Sequence, residues 1–242
     1  MNHKFDNNTI EIFPSIHIME FEISLNSKEI VQKLDILQQN FLNSDLDWDY
    51  DSGTEPDWRF TTLAWTPWAK LLHKEEFSSL KNKLLHCLQE YNKRFNVCTG
   101  KIEITNSWFK FMEEGIISKF HVHDGSLLSG SYYPLLPEGA ANLSVIIPEK
   151  ERKEIPIKEG HLYVFPSWLE HGVVDINNCD KRVCIGFNTT DVTVSKYIEE
   201  FEKINQHSTN EMVGDELEKF IAASSSKNIT EFMLAGLKLN QK

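Results

Sequence analysis

Two histidines one residue apart, in Phe120-His121-Val122-His123-Asp124-Gly125, are the chain's clearest offer of chemistry. In an extended strand alternate side chains share a face. His121 and His123 then point the same way, with Val122 opposite, and two imidazoles so placed can take adjacent positions on one metal ion. The chain has 9 histidines, so such a pair also arises by chance, and a metal site needs a third ligand. His171 is the candidate, in Phe165-Pro166-Ser167-Trp168-Leu169-Glu170-His171-Gly172-Val173. It follows an apolar strand and a turn and can return on a neighbouring strand. Three protein ligands on one face leave the opposite coordination positions open for small molecules. His161 opens a strand and ranks below His171; His3, His17, His73, His86 and His207 read as ordinary surface, strand or helix residues.

Arg182 stands eleven positions after His171 and opens the run Arg182-Val183-Cys184-Ile185-Gly186-Phe187-Asn188. Alternation puts Arg182, Cys184, Gly186 and Asn188 on one face and Val183, Ile185 and Phe187 on the other. An inward arginine is costly unless it meets an anion, and a carboxylate held by both arms of the guanidinium satisfies it. The alternative is a surface arginine at a strand start.

The elements that must position these residues fall into three zones of one 1–242 domain. Residues 1–100 read as support: strands near Ile10–Phe13 and Ile16–Ile23, a helix over Lys28–Leu42 capped by Ser27, and a second helix near Lys74–Phe95. Residues 101–192 read as many short strands, Ile102–Met112, Ile116–His121, Leu127–Leu135, Asn142–Ile147, His161–Phe165, Gly172–Ile176 and Arg182–Thr189. Glycine- and asparagine-bearing turns separate them. Short strands at this spacing indicate a sandwich or barrel. Residues 193–242 return to helix, at Val194–Ile204, Glu211–Ala223 and Thr230–Leu239. This tail packs on the sheet or, alternatively, forms a homodimer contact or an active-site cover.

Bulk properties narrow the function. The 242 residues are 40% hydrophobic and 11% aromatic, enough for a sizeable core. A net charge of −11 disfavours nucleic-acid binding, which needs a basic footprint. No apolar run is long enough for a membrane span or a secretory leader, and the 4 cysteines lack a C-x-x-C spacing. The expectation is a cytoplasmic protein with reduced thiols, acting on a small molecule or a peptide. The acidic stretch Asp45-Leu46-Asp47-Trp48-Asp49-Tyr50-Asp51 lacks the glycine and glutamate of a calcium loop. Trp48, Trp58, Trp65 and Trp68 read as packing residues or, more sharply, as an aromatic substrate groove; Trp168 could shape a pocket mouth. No phosphate loop and no G-x-S-x-G elbow occurs.

The ordered set His121-Val122-His123, Leu128-Ser129-Gly130-Ser131-Tyr132-Tyr133, Glu159-Gly160-His161-Leu162-Tyr163-Val164-Phe165-Pro166-Ser167, His171-Gly172-Val173 and Arg182 to Asn188 resembles the 2-oxoglutarate/Fe(II)-dependent oxygenase superfamily, in its group related to prolyl hydroxylases. The resemblance spans about residues 103–190. It implies a mainly β fold, a double-stranded β-helix or jelly roll, buttressed by N- and C-terminal helices. It implies Fe(II) held by His121 and His171, with 2-oxoglutarate as cosubstrate bound at its distal carboxylate by Arg182. Tyr132 or Tyr133 would line the cosubstrate pocket, with Asn188 on the Arg182 face. His123 departs from the superfamily's usual carboxylate, which leaves either His123 or the neighbouring Asp124 as second ligand. The implied reaction converts 2-oxoglutarate to succinate and carbon dioxide while oxidising, by hydroxylation, a substrate the sequence does not disclose. Two other readings compete: a three-histidine cupin-like dioxygenase that uses no 2-oxoglutarate, and a non-catalytic jelly-roll binding module.

Overall fold

The computed structural model describes residues 9–13, 16–42, 70–147 and 151–193. The expected C-terminal helices, the acidic stretch, and Trp48, Trp58, Trp65 and Trp68 lie outside the described residues. Within them the chain runs β1 (Thr9–Phe13), β2 (Ile16–Glu22), α1 (Ser27–Leu42), two short 3₁₀ turns (Leu71–His73 and Glu75–Phe77), α2 (Ser78–Phe95), β3 (Ile102–Met112), β4 (Ser118–His121), β5 (Leu128–Leu135), β6 (Leu143–Ile146), β7 (Arg152–Ile155), β8 (His161–Pro166), β9 (Glu170–Val173) and β10 (Arg182–Asp191).

The strands form two antiparallel sheets. The larger has the order β1-β2-β8-β5-β10-β3 and the smaller β4-β9-β6-β7. From β3 to β10 the chain crosses between sheets at almost every connection, staying in one sheet only for the β6–β7 pair. Eight strands wound this way make a double-stranded β-helix, the architecture expected from the sequence.

Alternation along the large sheet separates two cores. Val183, Ile185 and Phe187 on β10, Phe109 and Phe111 on β3, Leu162 and Val164 on β8, and Leu128 and Tyr132 on β5 face outward to the helices. There Leu34 of α1 and Leu84 and Leu88 of α2 are fully buried against them. Each such side chain contributes about 1.5–3 kcal/mol by leaving water. The opposite face looks at the small sheet, where Tyr133, Tyr163, Phe165, Leu143, Val145 and Ile155 pack together. Helices cover one side of the large sheet and leave the other for the site between the sheets.

Several expected boundaries shift for identifiable reasons. The cap of α1 is Asn26, whose side-chain oxygen accepts from the Glu29 N–H at 3.4 Å; Ser27 is instead in hydrogen-bond contact with the Tyr132 hydroxyl at 3.3 Å. The expected strand Gly172–Ile176 begins earlier, at Glu170, because β9 is central in the small sheet and its ladder aligns Val145 with His171 and Ile146 with Glu170. Strand β7 was not anticipated: Arg152-Lys153-Glu154-Ile155 reads as a polar loop, yet it pairs with β6 as an edge, where charge is tolerated and discourages further pairing.

Candidate metal centre

His121 closes β4, and His171 lies directly opposite it on β9. This pairing explains how residues far apart in sequence share one spot. His123 lies two residues beyond β4, its position fixed by a backbone hydrogen bond from its N–H to the Ser167 carbonyl at 3.0 Å. The three rings meet with centroids 5.0 Å (His121–His123), 4.5 Å (His121–His171) and 5.0 Å (His123–His171) apart. One nitrogen from each lies within 4.8 Å of the others. That spacing suits three donors around one cation.

Hydrogen bonding chooses the donor atoms. The Nδ1 of His121 lies 2.8 Å from the Lys119 carbonyl, and the Nδ1 of His171 lies 2.8 Å from the Leu169 carbonyl. A carbonyl only accepts, so each Nδ1 carries the proton and each Nε2 keeps its lone pair for a metal. Burial lowers the His171 pKa to about 3, with the His121 and His123 charges adding to the effect. Burial likewise lowers His123 to about 4, with His121 contributing. Both imidazoles are therefore neutral near pH 7, the form that binds metal. Gly172 keeps β4 and β9 close: a Cβ there would meet the Ser118 carbonyl oxygen at 2.7 Å and the Lys119 carbonyl carbon at 3.0 Å.

The triad opens into a cleft of about 540 Å³ between the sheets, part of it open to solvent. The small sheet lends Ser118, Leu143, Gly172 and Val173, while the large sheet lends side chains at alternate positions of β3, β5 and β10. Arg182 lines this cleft and is 0% exposed. Its Nη1 donates to the Ala141 carbonyl at 2.7 Å, and its guanidinium lies 5.2 Å from the centre of the Tyr133 ring. Its Nε and Nη2 are buried and have no partner among the described residues. A buried charge with two idle donors is costly in isolation, and a carboxylate presented to those donors removes the cost.

Neighbouring candidates take different positions. Tyr133 lines the cleft and Tyr132 does not; Tyr132 packs in the helix-side core and meets Ser27. The metal-competent cluster contains His123 and omits Asp124. Asn188, expected with Arg182, is not among the cleft-lining residues; its side-chain oxygen accepts from the Ser129 hydroxyl at 2.8 Å. It holds a lining residue rather than lining the cleft itself. His161 is turned to Glu20, with Nδ1 to carboxylate at 2.9 Å. Trp168 is 58% exposed and lines no part of the cleft. The sequence reading gave Lys110 and Met112 no role and took Trp108 only as a weaker part of the resemblance; all three line the cleft from β3. Their signal was the alternation with Phe109 and Phe111, which marks β3 as two-faced.

The donor set and the idle guanidinium fit a divalent metal with an anionic small molecule beside it. The sequence model of the family described as "Putative 2OG-Fe(II) oxygenase" matches residues 147–188. That segment includes His171 and Arg182 but stops short of His121 and His123. The chain thus resembles this oxygenase family over that stretch. No curated protein sequence matches the chain. Among solved structures, an oxidoreductase of the 2OG-Fe(II) oxygenase family from Burkholderia pseudomallei aligns at 10% identity and a TM-score of 0.39, over 50% of this chain and 54% of its own. The chain therefore spans about half the length of that protein. A Pseudomonas putida prolyl-4-hydroxylase aligns at 12% identity and a TM-score of 0.46, over 72% and 88%. HygX from Streptomyces hygroscopicus, solved with nickel and 2-oxoglutarate bound, aligns at 10% identity and a TM-score of 0.48, over 74% and 84%. No helix among the described residues is long and apolar enough to cross a membrane.

Proposed function

We propose that this chain is an Fe(II)- and 2-oxoglutarate-dependent oxygenase that hydroxylates an organic substrate and releases succinate and carbon dioxide. The observation that carries the reading is Arg182. It is fully buried, keeps two donors idle, and lines the same cleft as three imidazoles with metal-ligand spacing.

His121, His123 and His171 would hold the metal, the first and last through Nε2. When bound, Fe(II) supplies the Lewis acidity and the redox chemistry that activate dioxygen. The chain's own residues bind and orient. Arg182 would take the distal carboxylate of 2-oxoglutarate through Nε and Nη2, with Nη1 already tied to Ala141 so that the fork is fixed in advance. Tyr133, 1% exposed, and Leu143, 2% exposed, wall the cleft and exclude water from the cosubstrate's carbon chain. Backbone carbonyls of Lys119 and Leu169 hold the imidazole orientation throughout. The same arginine favours this reading over a three-histidine dioxygenase that uses no 2-oxoglutarate, which would offer its idle donors no carboxylate.

The test is formation of succinate from 2-oxoglutarate by purified protein in air. The reading expects turnover that needs added Fe(II), including the slow uncoupled turnover without substrate, and that disappears in His171→Ala. No Fe(II)-dependent succinate under any condition contradicts it.

A further inference from the structure

His123 is the candidate ligand that lies outside the strands. A β4–β9 rung and Nδ1 contacts to backbone carbonyls fix His121 and His171. His123 follows β4, in the turn that contains Gly125 with a φ of 78°. Its backbone is tied on both sides: its N–H donates to the Ser167 carbonyl at 3.0 Å, and its carbonyl accepts from the Ser126 N–H at 3.3 Å. Those bonds place the Cα and leave the ring to turn about its side-chain torsions. What the ring packs against then decides where its donor nitrogen points.

The ring packs against Trp108, with centroids 5.2 Å apart and planes tilted by 50°, within the range of favourable aromatic pairs. The contact crosses the cleft, because Trp108 belongs to β3 of the large sheet, whereas His121 and His171 belong to the small one. Strand β3 is firmly seated at this point. Ser107 and Phe109, on either side of Trp108, are 0% and 1% exposed, and the Ser107 hydroxyl accepts from the Leu72 N–H at 2.8 Å. A side chain rooted on such a strand is a fixed reference for the third imidazole.

Gly186 makes room for this arrangement. It is the ladder partner of Trp108 on β10. A Cβ there would lie 2.7 Å from the indole Cε2 and 2.8 Å from Cζ2 and Nε1. A real Cβ does not come so close to a neighbour, so any larger residue displaces the indole. Gly186 is not one of the glycines with a positive φ; the need for a glycine there comes from the indole and not from the backbone.

We infer that Trp108 is a positioning residue for the metal centre: seated on Gly186, its indole sets the His123 ring, so that the sheet carrying Arg182 also orients the third donor. The inference rests on the proposed function, in which His123 holds the metal.

The experiment titrates Mn(II) alone into the full chain at neutral pH, with free Mn(II) read by electron paramagnetic resonance. Trp108→Ala weakens Mn(II) binding about ten-fold or more, the effect of losing a group that orients a ligand. Trp108→Phe restores a ring and recovers most of the affinity. Gly186→Ala keeps every cleft side chain, adds one methyl group and weakens Mn(II) about ten-fold. In the Trp108→Ala background the same change costs less than about two-fold, because no indole is left to displace. A merely structural role would instead lower the melting temperature of the metal-free protein and leave the Mn(II) Kd of the folded chain alone. A Kd within about two-fold of the parent in both Trp108→Ala and Gly186→Ala overturns the inference. So does Gly186→Ala costing as much without the indole as with it. Failure of the underlying reading looks different: His123→Ala would bind Mn(II) as the parent does, and nothing could then act through that ring.

Discussion

His121 and His171 face each other across one rung of the small sheet, Cα opposite Cα, with ring centroids 4.5 Å apart. Each turns its Nδ1 to the carbonyl two residues before it. The ladder thus fixes the separation of two donors, and each strand's own backbone fixes the tautomer. His123 adds a third donor from the segment leaving β4.

Removing one donor is expected to uncouple metal binding from folding. His121→Ala lies at an exposed strand end and should leave the thermal midpoint nearly unchanged, while metal affinity falls by about 100-fold or more, beyond the 10–100-fold typical of outer-shell changes. Metal content of anaerobically purified protein checks the affinity, and circular dichroism the fold.

His123→Asp converts the third imidazole to a carboxylate and cancels one positive charge at the metal. Fe(II) should still bind at one equivalent. The chain tolerates the change because His123 is only partly buried. Anaerobic Fe(II) titration tests this; complete loss of metal would show that the site is built for three neutral donors.

Arg182→Met should raise stability while weakening cosubstrate binding. The parent buries a cation with two idle donors, and an apolar side chain of similar length removes that desolvation cost. Melting of the metal-free protein should shift upward. A drop in melting temperature would mean that the bond to Ala141 and the contact with Tyr133 outweigh the idle donors.

Alkaline stability should begin to fall as pH passes the thiols' ordinary value. Burial raises the thiols of Cys87 and Cys98 from 9.0 to about 11. Between these values the folded chain keeps protons that the unfolded chain releases. Their contribution is complete below pH 9 and is lost as pH rises toward 11. Urea midpoints at pH 8 and pH 9.5 measure its onset, before the buried tyrosines contribute fully, and replacing both cysteines by Ala should reduce the change.

Much of the site was legible because strands have period two. The spacing of His121 and His123, and the sorting of Arg182, Cys184 and Gly186 from Val183, Ile185 and Phe187, follow from alternation alone, and Gly125 and Gly160 occupy turns with φ of 78° and 76°. Alternation could not say which of Tyr132 and Tyr133 faces the cleft, since that depends on which side of the sheet the helices cover. Asn188 shares the Arg182 strand face but meets the cleft only through Ser129, which alternation alone does not show. Lys110 escaped notice because a lysine in a strand is ordinary until the strand opposite it is known.

The most direct measurement is calorimetric titration of 2-oxoglutarate into the anaerobic protein, with and without Fe(II), for the parent and for Arg182→Met. One equivalent should bind to the Fe(II)-loaded parent, with affinity falling about ten-fold or more when either the metal or the guanidinium is removed. Affinity that is indifferent to both would contradict a shared site of three imidazoles and one arginine.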